Sequence, residues 1–267
     1  MKRIIPIILV IIIIIALFSL LNRTTTTDGT QPLATSTNQT GNTQQQNVPV
    51  TVIPLSHATG VLTWANKNIF LDPTGGAANF QGIQPPNIIL VTDIHGDHLS
   101  TSTLNTIVGS STLIAPKAVV DLLPANLKSR AVVMNNGQTR TEQGFTITAV
   151  PMYNYPEATD SRHTKGRGNG YIIERDGYRV YVAGDTGPTP EMKALTDIDM
   201  AFVPMNLPFT MGVEDAAQAV LAFKPKIVYP YHYRGQDGLA DVAKFKTLVN
   251  TGDSNIEVVL ANWYPQQ

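Results

Sequence analysis

The chain has 267 residues, 43% of them hydrophobic, with a formal net charge of −1 and no cysteine. A near-neutral chain offers no electrostatic case for binding nucleic acid. The absence of cysteine excludes a disulfide framework and thiolate chemistry.

In chain order, three regions separate. Lys2 and Arg3 precede residues 4–21, which carry no charge and only Pro6 and Ser19 outside the apolar and alanine set. A helix of that length would span about 27 Å, enough for a bilayer core. Residues 18–23 offer no small-residue cleavage site, so residues 1–23 read as an uncleaved signal anchor rather than a signal peptide. The basic pair should stay in the cytoplasm, which predicts a membrane-anchored protein with its body extracytoplasmic, or secreted if the segment is cleaved. Residues 24–47 are rich in Thr, Asn and Gln, have one charge (Asp28) and no apolar periodicity, and read as a disordered linker.

Residues 48–267 suit one α/β domain of ~220 residues. Strand-like runs recur at 50–54, 61–64, 69–71, 88–91, 112–115, 131–134, 145–150, 171–174, 179–183, 200–203, 227–230 and 256–261. Helical spacing appears at 99–108, 213–223 and 239–249. Strands first and strand–helix alternation later predict two sheets sandwiched between helices.

The chemistry concentrates at Asp93-Ile94-His95-Gly96-Asp97-His98, directly after the apolar run at 88–91. Two imidazoles and two carboxylates are crowded onto a strand-to-helix turn, with Gly96 freeing the backbone. Packed carboxylates repel and lose hydration unless something positive sits among them. A divalent cation is the simplest candidate, because imidazole and carboxylate are its ordinary ligands.

This segment resembles the His-x-His-x-Asp-His signature of the metallo-β-lactamase fold superfamily, with Asp93 in place of the first His. Further matches follow in family order: Asp72-Pro73 after a strand, His163, Gly184-Asp185 after a strand, and His232 at a strand end. His57, followed by Ala58-Thr59-Gly60, is similar to the branch containing L-ascorbate-6-phosphate lactonase. The resemblance implies a four-layer αββα sandwich, here preceded by the transmembrane helix. It also implies two divalent metal ions, zinc first, with manganese or iron as alternatives. Asp93, His95 and His163 would hold one ion, and Asp97, His98 and His232 the other, with Asp185 bridging them. The implied activity is metal-dependent hydrolysis of an ester, lactone or phosphodiester by hydroxide that the ions activate. Asp97 and His57 are the candidate catalytic residues, and Asp72 would orient a ligand histidine.

Asp93 departs from the family's pattern. A third carboxylate should lower the net positive charge of the pair, harden the first site and favour manganese or iron over zinc. Arg162, Lys165, Arg167 and Arg234 flank His163 and His232, which suits an anionic small-molecule substrate. The partners expected are that substrate and, through the N-terminal helix, a membrane. Two other readings stay open, an iron-dependent redox relative and a catalytically silent metal-binding module.

Overall fold

The computed structural model describes residues 48–265. Strands β1 (Val50–Ser56), β2 (Thr59–Trp64) and β3 (Lys67–Leu71) run as antiparallel hairpins. Strands β4 (Ile88–Leu90), β5 (Thr112–Ala115) and β6 (Ala131–Val133) then extend the sheet in parallel. Parallel neighbours need crossovers. Helix α1 (Thr101–Ile107) lies in the β4–β5 crossover, and α2 (Lys117–Leu122) and α3 (Ala125–Lys128) in the next.

The apolar run at 88–91 is continuous because both faces of β4 are covered. Ile88 and Leu90 face the core between the sheets, whereas Ile89 and Val91 join Leu104, Val108, Val119 and Leu127 in a second core under the helices. Each large apolar side chain buried in this way contributes roughly 1.5–3 kcal/mol.

The second sheet uses β7 (Thr139–Glu142), β8 (Phe145–Met152), β9 (Gly168–Arg175), β10 (Tyr178–Val182), β11 (Met200–Pro204) and β12 (Ile227–Tyr231). Strands β13 (Arg234–Gly235) and β14 (Gly238–Leu239) make a small separate hairpin, and β15 (Glu257–Val258) closes the second sheet beside β12. The first four strands of this sheet pair antiparallel, and β10, β11, β12 and β15 pair in parallel. Helices α4 (Pro190–Lys193), α5 (Val213–Phe223) and α6 (Val242–Gly252) pack on it. Helix α5 coincides with the expected span. Helix α6 starts three residues later than expected, because the Asp241 carboxylate caps it by accepting from the Lys244 N–H at 2.8 Å.

The two sheets are joined next to the histidines. The Asn169 N–H donates to the Thr92 carbonyl at 3.0 Å, and the Tyr171 hydroxyl donates to the Val91 carbonyl at 2.9 Å. The approach is so close that a Cβ at Gly168 would lie 2.9 Å from the Thr92 oxygen and 2.2 Å from Met152 Cε. Only glycine fits there.

The expected architecture is corrected. The fold is α/β with two mixed sheets flanked by helices, and the transmembrane helix expected ahead of it is not part of it. Among the described residues, no helix is long and apolar enough to cross a membrane. The segments 4–21 and 24–47 lie outside the described residues. The membrane-anchored, extracytoplasmic placement and the membrane partner rested on that helix and are dropped with it.

We propose that the domain folds without the residues that precede it, since Asn47–Gln267 forms one compact unit. A protein starting at Asn47 is expected to be soluble and to melt in a single transition by circular dichroism. Recovery of that protein only as aggregate, while the full chain folds, would contradict the boundary.

Candidate metal centre

Strand ends from both sheets deliver the site. Asp72 follows β3, the Asp93–His98 turn follows β4, Asp185 follows β10, and His232 follows β12. His163 lies in the loop between β8 and β9, and His57 in the turn between β1 and β2. His57, Asp72 and His232 all have positive φ, at 50°, 40° and 46°. Non-glycine residues hold this conformation at a cost of about 1–3 kcal/mol and cluster at functional sites. Gly184, just before Asp185, also has φ of 68°, and a Cβ there would lie 2.5 Å from Met152 Sδ.

All seven residues expected as ligands converge. Asp93, His95 and His163 form one trio, and Asp97, His98 and His232 another, with each trio's candidate ligand atoms within 4.8 Å of one another. Asp185 stands between them. One of its oxygens lies 3.2 Å from both His98 Nε2 and His163 Nε2, and the other 3.4 Å from His232 Nε2. His98 Nε2 and His232 Nε2 face each other at 3.2 Å.

Buried polar atoms without partners test whether cations fit. Among the described residues, both ring nitrogens of His163 and Oδ1 of Asp185 are buried without a partner in hydrogen-bonding geometry, despite the close approaches above. Such atoms are costly unless something not supplied by the protein satisfies them. Lone pairs of imidazole and carboxylate aimed at common points are what divalent ions require, so the donor set fits.

The supporting hydrogen bonds are equally specific. Asp72 Oδ2 accepts from His98 Nδ1 at 2.8 Å, which leaves Nε2 facing the second trio. Thr92 holds Asp72 in turn, donating from its backbone N–H at 2.7 Å and from its hydroxyl at 2.6 Å. The His163 N–H donates to Asn154 Oδ1 at 2.8 Å, and the Asn206 amide reaches His232 Nδ1 at 3.3 Å. His57 sits outside both trios, its ring edge-to-face with His232 at 5.5 Å and its Nδ1 3.4 Å from the Tyr264 hydroxyl. Thr92, Asn154, Asn206 and Tyr264 were not singled out from the sequence, since none carries a distinctive local motif.

Charge follows from this geometry. Burial alone would raise the Asp185 carboxyl, but His98 and His232 hold it well below the usual carboxylate range. Burial opposes ionisation of Asp97 too, and the hydrogen bond from His232 and the charge of His98 overcome it. Burial would lower His98, yet Asp185 and Asp72 push it well above the usual histidine range. Asp93 is fully buried, and its carboxyl is raised by burial but pulled below normal by His95, His98 and Arg167.

Arg167 changes the reading of Asp93. Its Nε donates to Asp93 Oδ1 at 3.2 Å and its Nη2 to Oδ2 at 3.1 Å, a two-pronged pair. The expected excess of negative charge at the first trio is therefore offset by a guanidinium. Of the four basic residues flanking the histidines, Arg167 serves Asp93 and Lys165 pairs with Glu191 at 2.6 Å. Arg162 lies over the Phe209 ring and Arg234 over the Tyr264 ring.

Residues 51–232 match the model of the β-lactamase superfamily domain. The chain belongs to this superfamily. It is 33% identical over 206 residues to a UPF0173 metal-dependent hydrolase of Pyrococcus abyssi, covering 73% of this chain and 89% of that one. A crystal structure described as a metal-dependent hydrolase from Parabacteroides distasonis shares 37% identity, with a TM-score of 0.69 over 79% of this chain and 92% of that one. At 23% identity, the metallo-hydrolase Igni18 of Ignicoccus hospitalis shares the fold, with a TM-score of 0.67 over 80% of this chain and 95% of that one. This β-lactamase superfamily member is a metal-dependent hydrolase, with candidate metal-binding His/Asp groups at the meeting of its two sheets.

Proposed function

We propose that the chain hydrolyses an ester, a lactone or a phosphodiester in a small, negatively charged molecule, with two divalent cations. Zinc is favoured, with manganese and iron as harder alternatives. The observation that carries this is the meeting of two His/Asp trios on the single buried carboxylate of Asp185. It lies at the floor of an open cleft of ≈240 Å³. Asp93, His95 and His163 would hold one ion, Asp97, His98 and His232 the other, and Asp185 both.

Bound there, such ions supply Lewis acidity, bringing the pKa of a coordinated water toward neutrality and polarising the oxygen under attack. The protein's own groups do the rest. Asp97 is ionised and its side chain is 43% exposed to the cleft, so it can accept a hydrogen bond from the attacking water and aim it. Asp72 and Thr92 hold the His98 ring so that Nε2 keeps its direction. Burial, then the neighbouring His232, lower the pKa of His57. The ring is thus neutral near pH 7 and able to donate one hydrogen bond to a substrate oxygen beside the second trio.

The test is to purify the full chain without added metal, load it with zinc, manganese or ferrous iron, and assay bis(p-nitrophenyl) phosphate and a panel of lactones and aryl esters. Turnover with at least one ion is expected, falling at least about 100-fold on chelation and returning when metal is restored. No turnover of any substrate with any of the ions would overturn the hydrolase reading.

A further inference from the structure

A second cleft of ≈350 Å³ opens beside the metal centre, lined among others by Ser56, His57, Asn79, Arg234 and Tyr264. His57 forms the wall between the two. Its ring lies against His232 at 5.5 Å, and its carbonyl accepts from the His232 N–H at 3.2 Å. Whatever occupies the second cleft is therefore separated from the second trio by one side chain.

Among the described residues, no carboxylate lines this cleft. Among those residues its one full charge is Arg234, which follows His232 by two residues. The Arg234 backbone N–H donates to the Tyr264 hydroxyl at 3.0 Å, and its guanidinium carbon lies 4.6 Å from the centre of the Tyr264 ring. A guanidinium stacked on a ring face keeps its in-plane N–H donors free. Among the described residues, Arg234 makes no ion pair, whereas Arg140, Arg167, Arg175 and Arg179 each meet a carboxylate. Ser56 and Asn79 add neutral donors to the same cleft. A partly buried, pre-oriented fork with neutral donors around it suits a planar or tetrahedral oxyanion.

We propose that this cleft binds an oxyanion of the substrate remote from the bond being cleaved, with Arg234 as the residue that selects for it. The proposal rests on the hydrolase reading above and narrows its substrate class. The substrate carries a carboxylate or phosphate at one end and the scissile ester, lactone or phosphodiester bond at the other. Arg162, exposed over Phe209 at the first cleft, lies at a separate position and serves as the internal control.

Three p-nitrophenyl esters of matched acyl length separate the possibilities: a neutral butyrate, a glutarate monoester and a phosphonobutyrate. With the metal-loaded full chain, one of the charged esters should exceed the neutral one in kcat/KM by about 10- to 100-fold, mainly through KM. Which charged ester wins distinguishes carboxylate from phosphate. In Arg234→Gln this ratio should fall toward one, Arg234→Lys should recover part of it, and Arg162→Gln should keep more of it. A ratio near one in the wild-type protein, or one unchanged in Arg234→Gln, would overturn the proposal. If none of the esters turns over, binding decides. Calorimetry with glutarate and inorganic phosphate on the metal-free chain should show affinity for at least one that Arg234→Gln loses about tenfold or more. Equal binding by both proteins, or none by either, overturns the oxyanion site, whereas turnover failure alone overturns only the hydrolase reading.

Discussion

Asp185→Asn is expected to lose most of its bound metal and at least two orders of magnitude in turnover. The side chain is isosteric, so packing is preserved. What disappears is the one charge that three imidazole nitrogens share, at 3.2, 3.2 and 3.4 Å. Changes to residues that merely orient ligands commonly cost 10- to 100-fold in affinity or activity, and a shared ligand should cost at least as much. Both trios lean on the same carboxylate, so both metal equivalents should weaken together. Elemental analysis after dialysis, alongside turnover of bis(p-nitrophenyl) phosphate, measures both quantities. Wild-type metal content and turnover in Asp185→Asn would remove that residue from the centre.

The second large effect concerns Asp93 and Arg167. Asp93 is fully buried, and Arg167 is its two-pronged partner with 20% of its side chain exposed. Removing one member of a buried pair strands the other, at a cost on the order of 3 kcal/mol. Arg167→Gln should therefore destabilise the metal-free protein markedly. The loss should be smaller in the metal-loaded protein, because a cation at the first trio gives Asp93 another positive partner. Asp93→His restores the family's usual residue but leaves the Arg167 guanidinium beside an imidazole with no carboxylate, so alone it should also destabilise. The double change Asp93→His with Arg167→Gln should recover much of that loss, since groups in direct contact couple by 0.5–3 kcal/mol in cycles of this kind. Urea melts of the four proteins, with and without metal, read the coupling. Strict additivity, or identical losses with and without metal, would contradict a pair facing a cation.

These effects also show which parts of the molecule were legible in the sequence. The buried strands were, because β4, β11 and β12 carry uninterrupted apolar runs bounded by polar residues, and Asp93, Asp185 and His232 follow the ends of β4, β10 and β12. Strand β7 was not. Its residues Thr-Arg-Thr-Glu contain nothing apolar, and it exists because the Gln143-Gly144 turn, with φ of 52° and 84°, folds it back onto β8. Helices α2 and α3 were also missed. They are one turn or so long, each entered from a proline, Pro116 and Pro124, and too short for periodicity to register. The apolar segment at 4–21 had the composition of a membrane span, but composition does not establish one, and the described fold contains none.

Within the site, the ligand candidates were legible because all but His163, which lies in the β8–β9 loop, sit in a local motif at a strand end. Their partners were not, because they arrive from far along the chain. Arg167 lies 74 residues from Asp93, and Tyr264 lies 207 residues from His57. In the sequence Arg167 was one of four basic residues near histidines. Only the meeting of the two sheets assigns it to Asp93 and leaves Arg234 to face a cleft of its own.

The most direct test of the two-trio centre is a metal count on the full chain, by elemental analysis after loading with zinc and removal of the excess. The wild-type protein should hold two ions per chain. His163→Ala and His232→Ala should each lose chiefly one, from different trios, and His57→Ala should still hold two. Less than one ion in the wild-type protein, or two retained in both His163→Ala and His232→Ala, would contradict the centre described here.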